Sequence, residues 1–303
     1  MKHFRIEEEE LWNLSLSGIA TVVAKTLVAP IDRAKILLQV QPLTPLPWYA
    51  RYRTGLEALK RIPREQGFWA YWRGNGVNLL RTIPGSGFKL FIYEYFKDQF
   101  FLPRNQSYDG FDLILRKVGA GVSAGTSAVI VFYPLDLVRT RFAADVSRQG
   151  LPREYTSILD CMKQICRNEG FFGLYSGVGT SILGVVPYIT TAFVTYDLLR
   201  TFVPEEDTIW MRIHISKLIL GASTGVIAQT ITYPFDTVRR RMQMNSRSGL
   251  KKYNSILDCV LSMWKEGIRS FYRGVVMNML RTVPGISIQM YVYDRLRQYA
   301  LKR

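Results

Sequence analysis

Six apolar stretches alternate with polar segments along this chain. Leu14 to Ile31 carries a single charge, Lys25, and Val118 to Leu135 and Leu218 to Phe235 carry none. Gly177 to Tyr196 is also uncharged, while Gly74 to Tyr93 and Gly274 to Tyr293 hold a few basic residues. About 20 apolar residues suffice to cross a bilayer as a helix. Backbone groups in lipid must find partners within their own segment, so the pattern predicts six membrane-spanning helices. Three polar intervals, Thr54 to Glu65, Ser157 to Glu169 and Ser255 to Glu266, read as short amphipathic helices lying at one membrane face.

The pattern is triplicated. Pro30-Ile-Asp32-Arg-Ala-Lys35 recurs as Pro134-Leu-Asp136-Leu-Val-Arg139 and as Pro234-Phe-Asp236-Thr-Val-Arg239. A second block follows each: Trp72-Arg73-Gly74, Tyr175-Ser176-Gly177 and Tyr272-Arg273-Gly274, each preceded by a Glu and a Gly. A third closes each unit: Tyr93-Glu94-x-x-Lys97, Tyr196-Asp197-x-x-Arg200 and Tyr293-Asp294-x-x-Arg297. Three ordered blocks in triplicate define repeats over residues 1–107, 108–207 and 208–303, each supplying two spans. Gly121-x-x-x-Gly125 and Gly221-x-x-x-Gly225 would let helices approach closely in lipid.

The charges within these blocks carry the functional signal. Pro30, Pro134 and Pro234 remove a helix hydrogen bond and should kink each odd span. The acid after each proline and the base three residues further share one helix face. Charge at membrane depth is costly unless paired or wetted, so it marks function by default. With pseudo-threefold symmetry, the acid of one repeat can meet the base of the next and form a ring. The third blocks supply another ring at the opposite face. Two rings suggest two gates that open in turn; static staples are the plainer alternative, but packing alone would not need a matching set at both ends.

Composition narrows the reading. The net charge of +16 with 48% apolar residues would be unusual for a soluble nucleic-acid binder with such long uncharged stretches. Three cysteines, Cys161, Cys166 and Cys259, give neither a disulfide framework nor a metal pair, and two histidines make a metal site improbable. The polar, acidic start, Met1 to Glu10, does not resemble an import presequence. No nucleophile with a base and no paired catalytic carboxylates stand out. A non-enzyme without metal, cofactor or nucleic-acid partner is expected, as opposed to a soluble basic nucleotide-binding enzyme.

On the triplicated motif the chain resembles the mitochondrial carrier family over essentially its whole length. The resemblance implies an all-α membrane fold: a six-helix, three-repeat pseudo-threefold bundle with short matrix-side helices, monomeric, multi-pass in the mitochondrial inner membrane or that of a related organelle. It implies alternating access. The matrix gate would pair Asp32 with Arg139, Asp136 with Arg239 and Asp236 with Lys35, braced by Gln39 and Gln243, with Ala143 leaving one pair unbraced. The cytoplasmic gate would draw on Glu94, Lys97, Asp197, Arg200, Asp294 and Arg297. It also implies cardiolipin at the helix starts, around Arg73, Gly74, Gly177, Arg273 and Gly274, where helix N-termini attract phosphate.

Residues serving a symmetric gate should match across repeats, and residues reading an asymmetric substrate should not. Thirteen positions before the acid of each third block stand Arg81, Gly184 and Arg281. Seven before each first-motif Asp stand Lys25, Val129 and Gln229, and eight after Arg81 stands Lys89, against Ala192 and Gln289. Lys25, Arg81, Lys89 and Arg281 would face a cavity without evident nearby acids, suited to a multiply anionic ligand; snorkelling to headgroups is the alternative for the arginines. Gly184-Val185 would leave a notch for a flat ring, with Tyr188 stacking on it or simply packing. Local wording, as in Asp236-Thr-Val-Arg-Arg-Arg-Met242, is similar to the family's ADP/ATP carriers, which implies exchange of ADP and ATP. Ile189 stands where that group has arginine, and Pro284-Gly285 is more like the carriers of coenzyme A, adenosine bisphosphate or ATP-Mg and phosphate. The calcium-regulated ATP-Mg type, which carries a calcium-binding extension before the bundle, is not expected.

Overall fold

A computed structural model describes residues 8–44, 50–101, 110–146, 153–201, 210–245 and 252–301. Most of the acidic start of the chain, Met1 to Glu7 with His3, lies outside them.

Ten α-helices account for most of the described residues: α1 (Glu8–Val40), α2 (Gly55–Gln66), α3 (Asn75–Phe96), α4 (Gly110–Ala144), α5 (Ile158–Glu169), α6 (Val178–Arg200), α7 (Trp210–Ile231), α8 (Tyr233–Met244), α9 (Ile256–Lys265) and α10 (Val275–Leu301). The long helices close a ring in which α1 touches α3 and α10, α4 lies between α3 and α6, and α7 bridges α6 and α10. Three helical segments are long and apolar enough to cross a membrane, Ser15–Leu43, Asp112–Ala144 and Phe171–Arg200, and Ile219–Ile231 is a shorter apolar helix. The spans predicted around Arg81 and Arg281 are helical too, but their polar residues dilute their hydropathy. Leucine and isoleucine side chains such as Leu27, Leu80, Leu183 and Leu280 stand exposed on the long helices.

The expected proline kinks divide into two kinds. Pro30 and Pro134 lie inside continuous helices. The third odd span is interrupted at Thr232, whose backbone leaves helical geometry one residue before α8 begins, with Pro234 in its first turn. A proline there lacks only a donor that a helix start leaves unpaired anyway.

The short helices form as their caps dictate. Thr54, Ser157 and Ser255 accept hydrogen bonds from the backbone N–H of Glu57, Asp160 and Asp258. Those acids accept in return from the N–H of Arg53, Thr156 and Asn254. Each helix start thereby satisfies two otherwise orphaned donors. Their apolar faces build one core per repeat around the fully buried Ala58, Cys161 and Cys259. A Cβ at Gly125 would come within 2.9 Å of Val185, which explains the glycine, whereas Gly221 faces open space.

Candidate functional site

The lower halves of α1, α4 and α8 converge at one end of the bundle. Lys35 Nζ lies 2.7 Å from Asp236, Arg139 is 3.0 Å from Asp32, and Arg239 pairs with Asp136. Each pair joins two repeats. Gln39 Nε2 donates to Asp236 at 3.2 Å and Gln243 Nε2 to Asp136 at 2.9 Å, so two pairs are braced. Ala143, at the corresponding place beside Asp32–Arg139, has no side chain to offer. Asp32, Lys35 and Asp136 are buried and Arg139, Arg239 and Asp236 partly so, and a buried ion pair holds only when its remaining lone pairs are also satisfied. Arg240, which no sequence argument singled out, helps satisfy them: it contacts Asp136 at 3.4 Å and Asp236 at 3.8 Å and donates to Thr140 and Gln243. Asn278 is a second omission; its amide oxygen accepts from Lys35 at 3.0 Å and its amide nitrogen donates to Gln229 at 2.7 Å.

The six residues expected to form the opposite gate behave differently. Glu94 and Lys97 pair at 2.9 Å within one helix end. Among the described residues, no ion pair joins Asp197, Arg200, Asp294 or Arg297 to another helix.

Between these two levels lie two adjoining cavities, about 410 and 280 Å³ in volume. Arg81, Gly184, Val185, Tyr188 and Arg281 line the larger, together with the ring pairs beneath it. Lys25 and Lys89 line the smaller, which shares Arg81, Val185 and Tyr188. All seven residues singled out for substrate thus border one space, where Lys25 Nζ donates to Thr82 Oγ1 at 2.6 Å.

Two expectations need correction. The cavity cations are not remote from acids: Arg281 Nε lies 3.2 Å from Asp32, and Arg81 Nε lies 3.7 Å from Asp136. Spacing along one helix could not show this, because the acids belong to other helices. Gly184 is not an empty notch either. A Cβ there would meet the Cβ of Phe235 at 3.2 Å, so the glycine lets α6 close on α8.

The helix starts also depart from expectation. Gly74, Gly177 and Gly274 hold φ near +85°, a left-handed geometry that favours glycine. A Cβ on Gly74 would meet Ala143, one on Gly177 would meet Met242 and Tyr133, and one on Gly274 would meet Tyr233 and the Lys35 carbonyl. Each glycine therefore packs against the gate helix of the following repeat. Arg73, expected to meet a lipid headgroup, turns inward onto Asp145 at 2.6 Å with its side chain 9% exposed. Arg273 remains partly exposed beside an apolar cleft of about 430 Å³.

Three further arginines are fully buried: Arg33, Arg141 and Arg241. They tie the gate helices to the short helices through Gln66, Glu169 and Glu266. Their signal was visible in each acid or amide that precedes the glycine closing the short helix.

Comparison with known proteins places this geometry. A profile of the mitochondrial carrier protein family matches residues 8–103, 112–207 and 213–303. The chain belongs to the mitochondrial carrier family. Mouse ADP/ATP translocase 4 is 36% identical over 290 residues, covering 95% of this chain and 89% of the relative. Human ADP/ATP translocase 4 is 34% identical over 290 residues, 95% and 90% of the two chains. Rat ADP/ATP translocase 2 is 35% identical over 286 residues, 93% and 95%. Family membership makes this protein a transporter.

Proposed function

We propose that this carrier exchanges adenine nucleotides, ADP for ATP, across the inner membrane of a mitochondrion or a related organelle, by alternating access. The observation that carries the reading is the cavity itself: Lys25, Arg81, Lys89 and Arg281 converge on one space that also holds Tyr188. Guanidinium groups offer planar, paired donors to phosphate oxygens. A nucleotide also needs a ring site, and Tyr188, 37% exposed, can stack on adenine beside Val185. Similarity to ADP/ATP translocases over most of the chain supports the same cargo.

The mechanism follows from the acids. Arg281 rests against Asp32 and Arg81 against Asp136, and each of those acids also belongs to a ring pair. Phosphate that captures the arginines draws positive charge away from the ring and weakens the closed end, which corresponds to the matrix gate. Glu94, Lys97, Asp197, Arg200, Asp294 and Arg297 would then pair across the cytoplasmic end. Cardiolipin would bind at the helix starts near Gly177, Arg273 and Gly274, since helix N-termini favour phosphate. A monomer suffices, since the cavity lies within one chain.

The test is uptake of labelled ATP into liposomes that contain the purified carrier and are loaded with ADP. Rapid uptake that depends on internal ADP is expected. Arg81→Ala and Arg281→Ala should each abolish it while leaving the protein folded; retained exchange in both would refute the site. One observation favours a second cargo: Ile189, where ADP/ATP carriers place arginine, is buried against Gly121 and Gly125. Uptake of coenzyme A, adenosine bisphosphate or ATP-Mg against phosphate, without ADP/ATP exchange, would transfer the assignment to that carrier type.

A further inference from the structure

The three gate pairs are not equally supported. Asp236–Lys35 and Asp136–Arg239 each have a glutamine, whereas Asp32–Arg139 faces Ala143. That unbraced pair lies on the seam between the first and second repeats, and the same seam carries a contact that the other two lack among the described residues. Arg73, at the foot of α3, donates to the Asp145 carboxylate at 2.6 Å, to the Phe142 carbonyl at 3.0 Å and to the Tyr155 carbonyl at 2.8 Å. Its guanidinium lies 4.1 Å from the centre of the Phe142 ring. Asp145 is 2% exposed. Arg33 adds a hydrogen bond across the seam to the Ala143 carbonyl at 3.2 Å.

Equivalent positions show how local this is. Nine residues after each gate acid stand Gln41, Asp145 and Asn245. Gln41 and Asn245 each clamp a backbone within their own repeat, accepting from the N–H and donating to the carbonyl of Tyr52 and Tyr253 respectively. A carboxylate can only accept. Asp145 accepts from the N–H of Tyr155, and the Tyr155 carbonyl takes its donor from Arg73 instead. The counterpart of Arg73 in the second repeat is Ser176, a neutral donor to Met242. In the third it is Arg273, 3.9 Å from Glu266 of its own repeat. Exchanging an amide for an acid at one of three clamps thus converts an internal clamp into a charged link between repeats.

We infer that Arg73 and Asp145 form a staple that replaces the missing glutamine at the Asp32–Arg139 seam and helps hold the matrix side closed. Arg73 is a positioning residue that never touches cargo. Gly74, directly after it, packs against Arg139 and Ala143, so the start of α3 cannot leave the gate helix without breaking the staple. The inference rests on the alternating-access reading but not on the identity of the cargo.

The test uses the full-length carrier in liposomes with Ser181→Cys as a reporter, since Ser181 lines the cavity. Cys166→Ser removes the exposed native thiol, and the other two are buried. A membrane-impermeant maleimide is applied to the matrix face without substrate. Asp145→Asn is the decisive change, because asparagine can clamp Tyr155 as Asn245 clamps Tyr253 and removes only the charge on the link. Matrix-side labelling should rise about tenfold, in keeping with the loss of a charge-assisted bond. Adding Ala143→Gln to Asp145→Asn should restore slow labelling. Unchanged labelling in Asp145→Asn would reduce Asp145 to a turn clamp and overturn the staple, and failure of Ala143→Gln to slow the labelling would overturn its equivalence to a brace. Because no nucleotide is present, an error in the proposed cargo leaves this result untouched.

Discussion

At the scale of single residues, the buried charges divide into those that hold the fold and those arranged to move. Arg241 belongs to the first kind: its guanidinium is fully buried and paired with Glu266 at 2.7 Å. Burial pushes the Glu266 carboxyl up, but the hydrogen bonds and charge of Arg241 more than offset this and leave it below its ordinary value. A carboxyl whose folded value is depressed stabilises fully above its unfolded value of about 4.5, and that contribution is lost as pH falls through the folded value. The first repeat makes the same tie with neutral Gln66. Acidification below pH 4.5 should therefore raise hydrogen exchange in α9 before α2; simultaneous loosening would contradict the pairing. The cysteines offer a sharper contrast. Burial pushes the Cys259 thiol up to about 12, and Cys161 is equally inaccessible, whereas Cys166 is exposed. The thiolate is the reactive form. Maleimide at neutral pH should modify one thiol in the folded carrier and three after denaturation, as counted by mass.

At the scale of elements, the short helices show what local chemistry can fix. A serine or threonine followed three residues later by an acid starts each one, and the structure places the cap there. Ser157→Ala should cost about 1 kcal/mol, measured as a lower unfolding midpoint, because the Asp160 N–H loses its acceptor. The glycines at the helix starts are less forgiving. At Gly177 a side chain would be strained by a φ of +82° and would also meet the Met242 Cβ at 2.8 Å. Gly177→Ala should destabilise the carrier by more than Gly170→Ala, which has a similar φ and open space around it. Equal losses at the two sites would show that only backbone strain matters.

At the scale of the whole molecule, three unequal repeats enclose two adjoining cavities; ion pairs join the repeats at one end, and among the described residues none joins them at the other. If ATP with four charges exchanges for ADP with three, each cycle moves one net charge, worth about 2.3 kcal/mol per 100 mV. Imposing a potassium diffusion potential across loaded liposomes should then bias the ATP distribution in the direction set by its sign. Insensitivity to potential would mean electroneutral exchange and would favour cargo of matched charge.

Much of this carrier was legible in the chain. Hydropathy and spacing located the spans and short helices, because helix formation depends on neighbours three and four residues away. Triplication then showed which charged positions are equivalent, and their disagreements picked out Arg81, Arg281, Lys25 and Tyr188, which line one space. What the sequence left open was every question of partnership across repeats. That Arg281 rests on Asp32, that Phe235 closes over Gly184, that Arg240 spans two acids and that Arg73 turns away from lipid toward Asp145 all depend on how the ring closes. These contacts join residues as far as 249 positions apart, where no helical periodicity connects them, and a buried charge accepts whichever counterpart packing brings within reach.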